Sequence, residues 1–588
     1  MTRQNNPFRL NIRNNVMAKV IENALSLSPL AEKYDHRPAD ATPEEFLDYT
    51  MDSLSCSLSL DGCSLHSEIP EQGPVIVVAN HPFGGIEGVM LTRALLAIRS
   101  DTRVLTNQML SGIPELAPVF FGVDVLGEKT AHRNTASVRS AAKHLQSSGL
   151  LLVFPAGQVS SMSWRSKQVL DRQWNPMIGR LAQKYEATCV PVYVHGQNPF
   201  YFQVAGLIHP RLRTALLPRQ LSNKVEQTIQ MTVGQAINPS ELRNLESAES
   251  VTDALRLSTY LLASTLSEVP HQAFENLPPT DQQNLKPGVI KALAELEDCK
   301  LISKGEFDVY CAPFDRLGDI FELLAIARET TFRAVGEGTG KEKDSDQYDP
   351  IYHHLFIWDR EKQAIVGGYR LGETHKIIQQ HGVKALYSRS LYRYDARYIQ
   401  SLGSALEVGR SFVTPAYQRH SSALDLLWRG IGHFVVCNPQ YRILFGCVSI
   451  SSEHSEKARA FISDAMMESF RAEQKFLENV KPMIPLKVKG KVWSAKMLAS
   501  IRDISVFNKL VGQCDPGKSI PVLLRHYLAL NGRFVGFSVN KGFNDSLDGL
   551  ILVDLHKMPT RYLTRYLGKE GSTAYLNYKD NHESTLHC

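Results

Sequence analysis

The sequence predicts an α/β protein of two domains, and three observations carry the prediction. Apolar, β-branched runs alternate with stretches of helical period in two separate blocks of the chain. Between the blocks lies ENLPPTDQQNLKPG, a piece rich in Pro, Asn and Gln that suits a linker. The chain has 588 residues, 43% hydrophobic and 21% charged, which is globular material too long for one compact core. The expected organisation is a helical segment over 1–70, a first α/β domain over 71–240, a helical linker over 241–300 and a second α/β domain over 301–588.

In the first block PVIVVA (74–79) reads as a strand that stops at Asn-His-Pro and opens through two glycines into IEGVMLTRALLAIRS. Met90, Leu91, Leu95 and Ile98 fall on one face of that helix. A second unit follows, with Asn134 and Thr135 as N-cap candidates, Gly149 as the expected stop, and LLLVFPAG (150–157) as a buried strand. Asn175-Pro176 begins MIGRLAQKYEA, which leads into the strand CVPVYVHG. Strand and helix in alternation imply a mostly parallel sheet. In the 1–70 segment, TPEE (42–45) forms a capping box for EFLDYTMDSL.

The second block offers VYCAPF as a strand, a helix around FELLAIARETTFRAV, and the polar loop GEGTGKEKDSDQYD. HHLFIWD and AIVGGYRL are two strands joined by the charged turn REKQ. ALEVGRSFVT, the helix ALDLLWRGIGHFVV and the strand RILFGCVSI complete the pattern.

Composition excludes several classes. A net charge of +5 suits an acidic partner but falls far short of a dedicated nucleic-acid binder. Nine scattered cysteines with no CxxC pair indicate neither a disulfide framework nor a zinc site, and no ligand cluster suggests any other metal. These cysteines point to a reducing cytoplasm, and no apolar run approaches the ~20 residues that span a bilayer.

The chemistry concentrates at NHPFGGIEG (80–88). His81 on a strand-end turn, with Glu87 a helical turn away, fits a general base whose imidazole is oriented and charge-stabilised by a carboxylate. Gly84 and Gly85 would let backbone amides approach the reacting centre. A turn histidine that merely caps the helix fits the same residues.

Taken with RN (133–134), FPAG (154–157), VPVY (190–193) and the later HPRLRTALLPR, NHPFGGIEG resembles the four sequence blocks of the glycerolipid (lysophospholipid) acyltransferase superfamily, over about 70–240. The resemblance implies a glycerolipid-acyltransferase-like α/β domain with His81 as general base and Glu87 as its orienting partner. Arg133, Phe154, Pro155 and Gly157 would bind the acceptor, with Asn80, Gly84 and Gly85 as further substrate-binding candidates in the catalytic turn. Two departures matter: Glu87 lies six positions after His81 where the family has Asp at five, and Ala156 replaces the glutamate of FPEG. Losing that glutamate argues for a hydroxyl acceptor other than glycerol phosphate.

In the second block DSDQYD (344–349), GGYRL (367–371), ALEVGRSFV (405–413), LLWRGIG, LFGCVSIS and FNDSLDGLILVDL (543–555) resemble the ornithine acyl-carrier-protein N-acyltransferases, over about 300–560. That family has the acetyltransferase (GNAT) fold shared with acyl-homoserine-lactone synthases. The resemblance implies catalytic roles for Glu407 and Arg410, with Glu407 taking a proton from the amine nucleophile. Asp346 and Asp349 would receive a cationic amino acid, and Arg370 would order them or bind its carboxylate. In a regular strand Glu407 and Arg410 point to opposite faces, so a shared pocket requires a bulge.

Fused in one chain, the two resemblances imply consecutive steps. The second domain puts a 3-hydroxyacyl chain from acyl carrier protein onto ornithine, giving lyso-ornithine lipid. The first domain then acylates its hydroxyl. No cofactor beyond the acyl thioester is expected, and the amphiphilic products imply peripheral contact with the inner face of the cytoplasmic membrane. Glycine, glutamine or lysine in place of ornithine, an ordinary phospholipid acyltransferase, a homoserine-lactone synthase and a hemolysin-like membrane-active protein are the other readings.

Overall fold

The computed structural model describes residues 6–10, 15–107, 110–123, 134–162, 168–208, 215–222, 224, 226–264, 286–420 and 422–578. The chain forms two compact units, one of residues 1–268 with 489–519, the other of 269–488 with 520–588. Residues 489–519, read from the sequence as part of the second domain, thus group with the first.

The first unit holds a seven-stranded sheet of β1 (Ser57–Gly62), β2 (Val75–Ala79), β3 (Arg103–Asn107), β4 (Phe120–Val123), β5 (Leu150–Val153), β6 (Thr188–Val194) and β7 (Thr228–Val233). Its order is β1–β7–β6–β2–β5–β3–β4, parallel except where β6 meets β7. Near the centre, β2 is buried at every residue, which is why VIVVA is apolar without alternation. Helix α1 (Pro43–Ser53) starts on the expected capping box, Thr42 and Glu45 exchanging both bonds. Helices α2 (Ile86–Leu96), α3 (Thr135–Gln146), α4 (Met177–Lys184) and α5 (Ala248–Leu261) follow the strand–helix alternation.

Three expectations need correction. The 1–70 segment is not wholly helical, because β1 adds an edge strand beside β7. Helix α5 is no linker: its side chains are largely buried and it packs on α4 and β6. Gly149 is not the helix stop, since Ser148 takes the left-handed turn at φ 64°. Gly149 is needed for another reason, that a Cβ there would sit 2.2 Å from the His144 ring. Residues 265–285 of the expected linker lie outside the described residues.

The second unit holds an eight-stranded sheet of β8 (Lys300–Lys304), β9 (Phe307–Pro313), β10 (His353–Asp359), β11 (Ala364–Glu373), β12 (Ala405–Val413), β13 (Ile443–Ile450), β14 (Arg533–Asn540) and β15 (Ser546–Asp554). The order is β8–β9–β10–β11–β12–β13–β15–β14, with helices α6 (Asp319–Arg333) and α7 (Ala423–Cys437) packed against it. Among the described strands of this sheet only β12 and β13 pair in parallel, and their ladder covers just Ala405–Glu407 against Ile443–Phe445. Beyond it the strands part. Opposite Tyr369 on β11, β12 carries one extra residue, and Arg410 takes φ 48° there. That bulge resets the alternation, so Glu407 and Arg410 reach a common neighbour, Tyr387.

Candidate active sites

In the first unit β2 delivers His81 at its C-terminal end and the turn 82–85 leads into α2. Glu87, in the first turn of that helix, is fully buried and accepts the backbone N–H groups of Phe83 (2.9 Å), Gly84 (2.8 Å) and Gly85 (3.0 Å). Gly84 has to be glycine: φ is +93°, and a Cβ would lie 2.5 Å from Leu217 Cδ2. His81 Nδ1 is 3.0 Å from Glu87 Oε1.

Burial alone would discharge both groups, and their mutual attraction outweighs it. Glu87 is pulled down to about 2 by His81 and by the Gly84 and Gly85 amides. His81 is held above its ordinary value, chiefly by Glu87 and also by Asp171. With Nδ1 on Glu87 and a fifth of the side chain exposed, His81 presents Nε2 to a hydroxyl.

The structure adds a residue that sequence reasoning missed. Asp171 is buried and accepts the His81 backbone N–H (3.3 Å), the Ser160 hydroxyl (2.6 Å) and the Trp174 indole N–H (2.9 Å). Ser160 N–H in turn donates to the His81 carbonyl at 2.8 Å. Asp171 is 90 positions from His81, so no local spacing announces it. Lys224 was also missed; its Nζ lies 4.0 Å from the Phe83 ring centroid, lowered by burial against the pull of Glu87.

Of the expected acceptor residues, Phe154 packs its ring 4.6 Å from that of His81, and Gly157 N–H closes the turn onto the Phe154 carbonyl. The Pro155 carbonyl accepts Asn175 N–H. Asn80 has a structural role that the sequence did not show: its amide donates to the Val194 carbonyl at 2.9 Å and accepts Val194 N–H at 2.7 Å, so it ties β2 to β6. Gly84 and Gly85 likewise spend their amides on Glu87, not on a reacting centre. Arg133 and the first part of HPRLRTALLPR, residues 209–214, lie outside the described residues.

In the second unit three arginines face three aspartates. Asp349 accepts Arg328 (2.9 and 3.0 Å) and Arg370 (3.1 Å), while Asp346 accepts Arg370 (2.7 Å) and Arg410 (3.2 Å). Asp344 pairs with Arg410 at 2.9 Å and Arg328 at 3.3 Å. These cations hold Asp346 and Asp349 below the usual carboxylate range despite burial. The charges balance, which corrects the expectation that Asp346 and Asp349 await a cationic amino acid; Arg370 orders them instead. Asp344 and Arg328 were not singled out from sequence, although Asp344 opens the DSDQYD motif.

Glu407 is a second correction. Buried on β12, it accepts Tyr387 N–H (3.0 Å), Ser388 N–H (2.7 Å) and the Tyr352 hydroxyl. Three donors occupy three of the roughly four lone-pair sites of the carboxylate, so Glu407 pins the 387–388 turn and has little acceptor capacity left for an amine proton. Arg370 carries the rings of Tyr352 and Tyr387 at 5.0 and 5.3 Å, and its Nε and Nη2 have no hydrogen-bond acceptor among the described residues.

Comparison with known proteins relates two stretches of the chain to acyl-transferring families. Residues 38–268 match the family described as Acyltransferase, and residues 327–429 match the Acetyltransferase (GNAT) domain. A glycine N(alpha)-acyltransferase of Phocaeicola vulgatus is 28% identical over 292 residues, covering 46% of this chain and 87% of that protein. A lyso-glycine lipid O-acyltransferase of the same organism is 24% identical, covering 33% of this chain and 68% of its own length. An L-ornithine N(alpha)-acyltransferase of Brucella abortus is 33% identical, covering 23% of this chain and 51% of its own length. The chain is an α/β enzyme that transfers acyl groups, with an acyltransferase domain and a GNAT-type domain in one polypeptide.

Proposed function

We propose that this enzyme builds a doubly acylated aminolipid in two steps. The GNAT-type unit transfers a 3-hydroxyacyl group from acyl carrier protein to the α-amino group of ornithine. The first unit then acylates the 3-hydroxyl of the lyso-ornithine lipid. The observation that carries this reading is the pairing of relatives: one chain resembles both amino-acid N-acyltransferases and a lyso-aminolipid O-acyltransferase.

His81 supports the second step chemically. Its Nε2 takes the proton of the attacking hydroxyl while Glu87 stabilises the imidazolium, and the ring returns that proton to the leaving thiolate. The thioester supplies the acyl group, so neither step as proposed draws on another cofactor. A net charge of +5 suits docking of an acidic carrier protein. Among the described residues no helix is long and apolar enough to cross a membrane, and we place the enzyme peripherally on the inner membrane face, where its amphiphilic products partition.

Glycine in place of ornithine is the second reading, favoured by the 87% coverage of the glycine enzyme. Lipid mass spectrometry decides in a host without aminolipids that expresses the intact chain, His81→Ala and Glu407→Ala. The intact chain is expected to give diacylated ornithine lipid, His81→Ala only the mono-acyl form, and Glu407→Ala, which frees the Tyr387–Ser388 turn beside Arg370, neither. A diacylated glycine lipid would replace ornithine. Absence of any aminolipid would end the two-step reading.

A further inference from the structure

The three-arginine, three-aspartate network is internally neutral, and Glu407 is taken by three donors. The second unit nevertheless has to take a proton from an ammonium group before nitrogen can attack a thioester. Among the buried carboxylates of this unit outside that network, Glu337 borders the place where β12 and β13 part.

Glu337 lies on the loop after α6, between Gly336 (φ +73°) and Gly338 (φ +108°). The loop is held from two sides: Glu337 N–H donates to the Phe332 carbonyl at 2.9 Å, and Asn544 Nδ2 donates to the Gly336 carbonyl at 2.8 Å. Glu337 is 6% exposed, and its carboxylate accepts the Ser449 hydroxyl at 2.8 Å. Ser449 is on β13 beyond its short ladder with β12, where the strands have parted, and its cross-strand partner on β15 is Asp548.

Asp548 is also buried, accepting Asn540 Nδ2 (2.9 Å) and the Ser546 hydroxyl (2.8 Å). Burial pushes Glu337 up to about 8, with Asp548 and Glu453 adding to it against the pull of the Ser449 hydroxyl and the Arg410 cation, and burial raises Asp548 as well. A carboxylate that titrates near working pH is suited to exchange a proton. A second observation points to a ligand. Arg370 is 1% exposed; its Nη1 donates to Asp346 and Asp349, while its Nε and Nη2 make no hydrogen bond among the described residues and remain for a substrate anion. Tyr387 links Arg370 to Asp548: Arg370 lies over its ring, and its hydroxyl accepts from Asn540 Nδ2 at 3.3 Å, which also donates to Asp548.

We propose that Glu337 is the general base of the amine-acylating unit and that Arg370 receives the carboxylate of the same amino acid. The inference rests on the N-acyltransfer reading above. Glu337 takes one proton from the ammonium, and the freed nitrogen lone pair attacks the thioester carbonyl. The C–N bond forms and the C–S bond breaks, and the second amine proton passes to the leaving thiolate. The products are amide, thiol and one proton released through Glu337.

The test measures acyl transfer by the full chain from acyl carrier protein to ornithine or glycine between pH 6 and 10, for wild type, Glu337→Gln and Glu337→Asp. Hydroxylamine, a nucleophile uncharged at neutral pH, serves as the control acceptor. We expect Glu337→Gln to lower kcat at pH 7 by about 10²-fold or more with the KM for the donor unchanged, since a positioned base contributes about 10²–10⁴-fold. The loss should shrink as pH rises, be much smaller with hydroxylamine, and be partly recovered in Glu337→Asp. An equal loss with both acceptors at every pH assigns Glu337 a structural role and overturns the proposal, as does an unchanged rate. A wild-type chain that acylates hydroxylamine but no amino acid overturns the N-acyltransfer reading itself.

Discussion

At the residue scale, the two sites differ in how they use a buried carboxylate. Glu87 is given a cationic partner and three backbone donors, so it stays ionised and polarises His81. Glu337 is buried with one hydroxyl donor, and burial, with a smaller push from Asp548, makes it hold its proton more tightly against the pull of Arg410. The His81 base works only when neutral, so O-acylation should rise with pH through its raised pKa. Glu87→Gln removes the charge that raises it; the acidic limb of the pH–rate profile should shift to lower pH while kcat falls about 10²-fold or more. A profile that stays where it was would mean Glu87 does not set the charge of His81.

At the element scale, the bulge in β12 turns two residues of opposite alternation toward one pocket. Its cost is a left-handed arginine at φ 48°. Arg410→Ala keeps the strained backbone and leaves Asp344, which is 0% exposed, short of a cation, so about 3–5 kcal/mol of stability should be lost in denaturant unfolding. Arg410→Gly removes the same charge but tolerates the backbone, and should recover about 1 kcal/mol of that loss. Equal loss in both variants would show that the bulge carries no strain.

At the scale of the whole molecule, the first unit is completed by a segment more than two hundred residues downstream. Gln513, on the helix Ile504–Cys514, is 1% exposed; its side chain accepts Gln235 N–H at 3.1 Å and donates to the Gln235 carbonyl at 2.8 Å. Gln513→Ala leaves both backbone groups without that partner, at about 1–3 kcal/mol. Thermal unfolding should therefore report a weaker first unit, with O-acylation at raised temperature reduced more than N-acylation. A selective loss of N-acylation would place the segment's role in the other unit.

What the sequence determined by itself is local. Apolar period and turn residues named β2, α2, the Thr42 capping box and the strand pair β10–β11, because strand, cap and helix propensities act over a few residues. His81 and Glu87 were legible for the same reason: strand, turn and first helical turn place them within seven positions. What tertiary structure decided is who meets whom across the sheet. Asp171 reaches His81 from 90 positions away, a one-residue bulge redirects Arg410, and three arginines claim the aspartates that composition offered to a substrate. Glu407 and Glu337 are both glutamates in the sequence; only the count of donors around each, fixed by distant strands and turns, makes one a clamp and leaves the other able to take a proton.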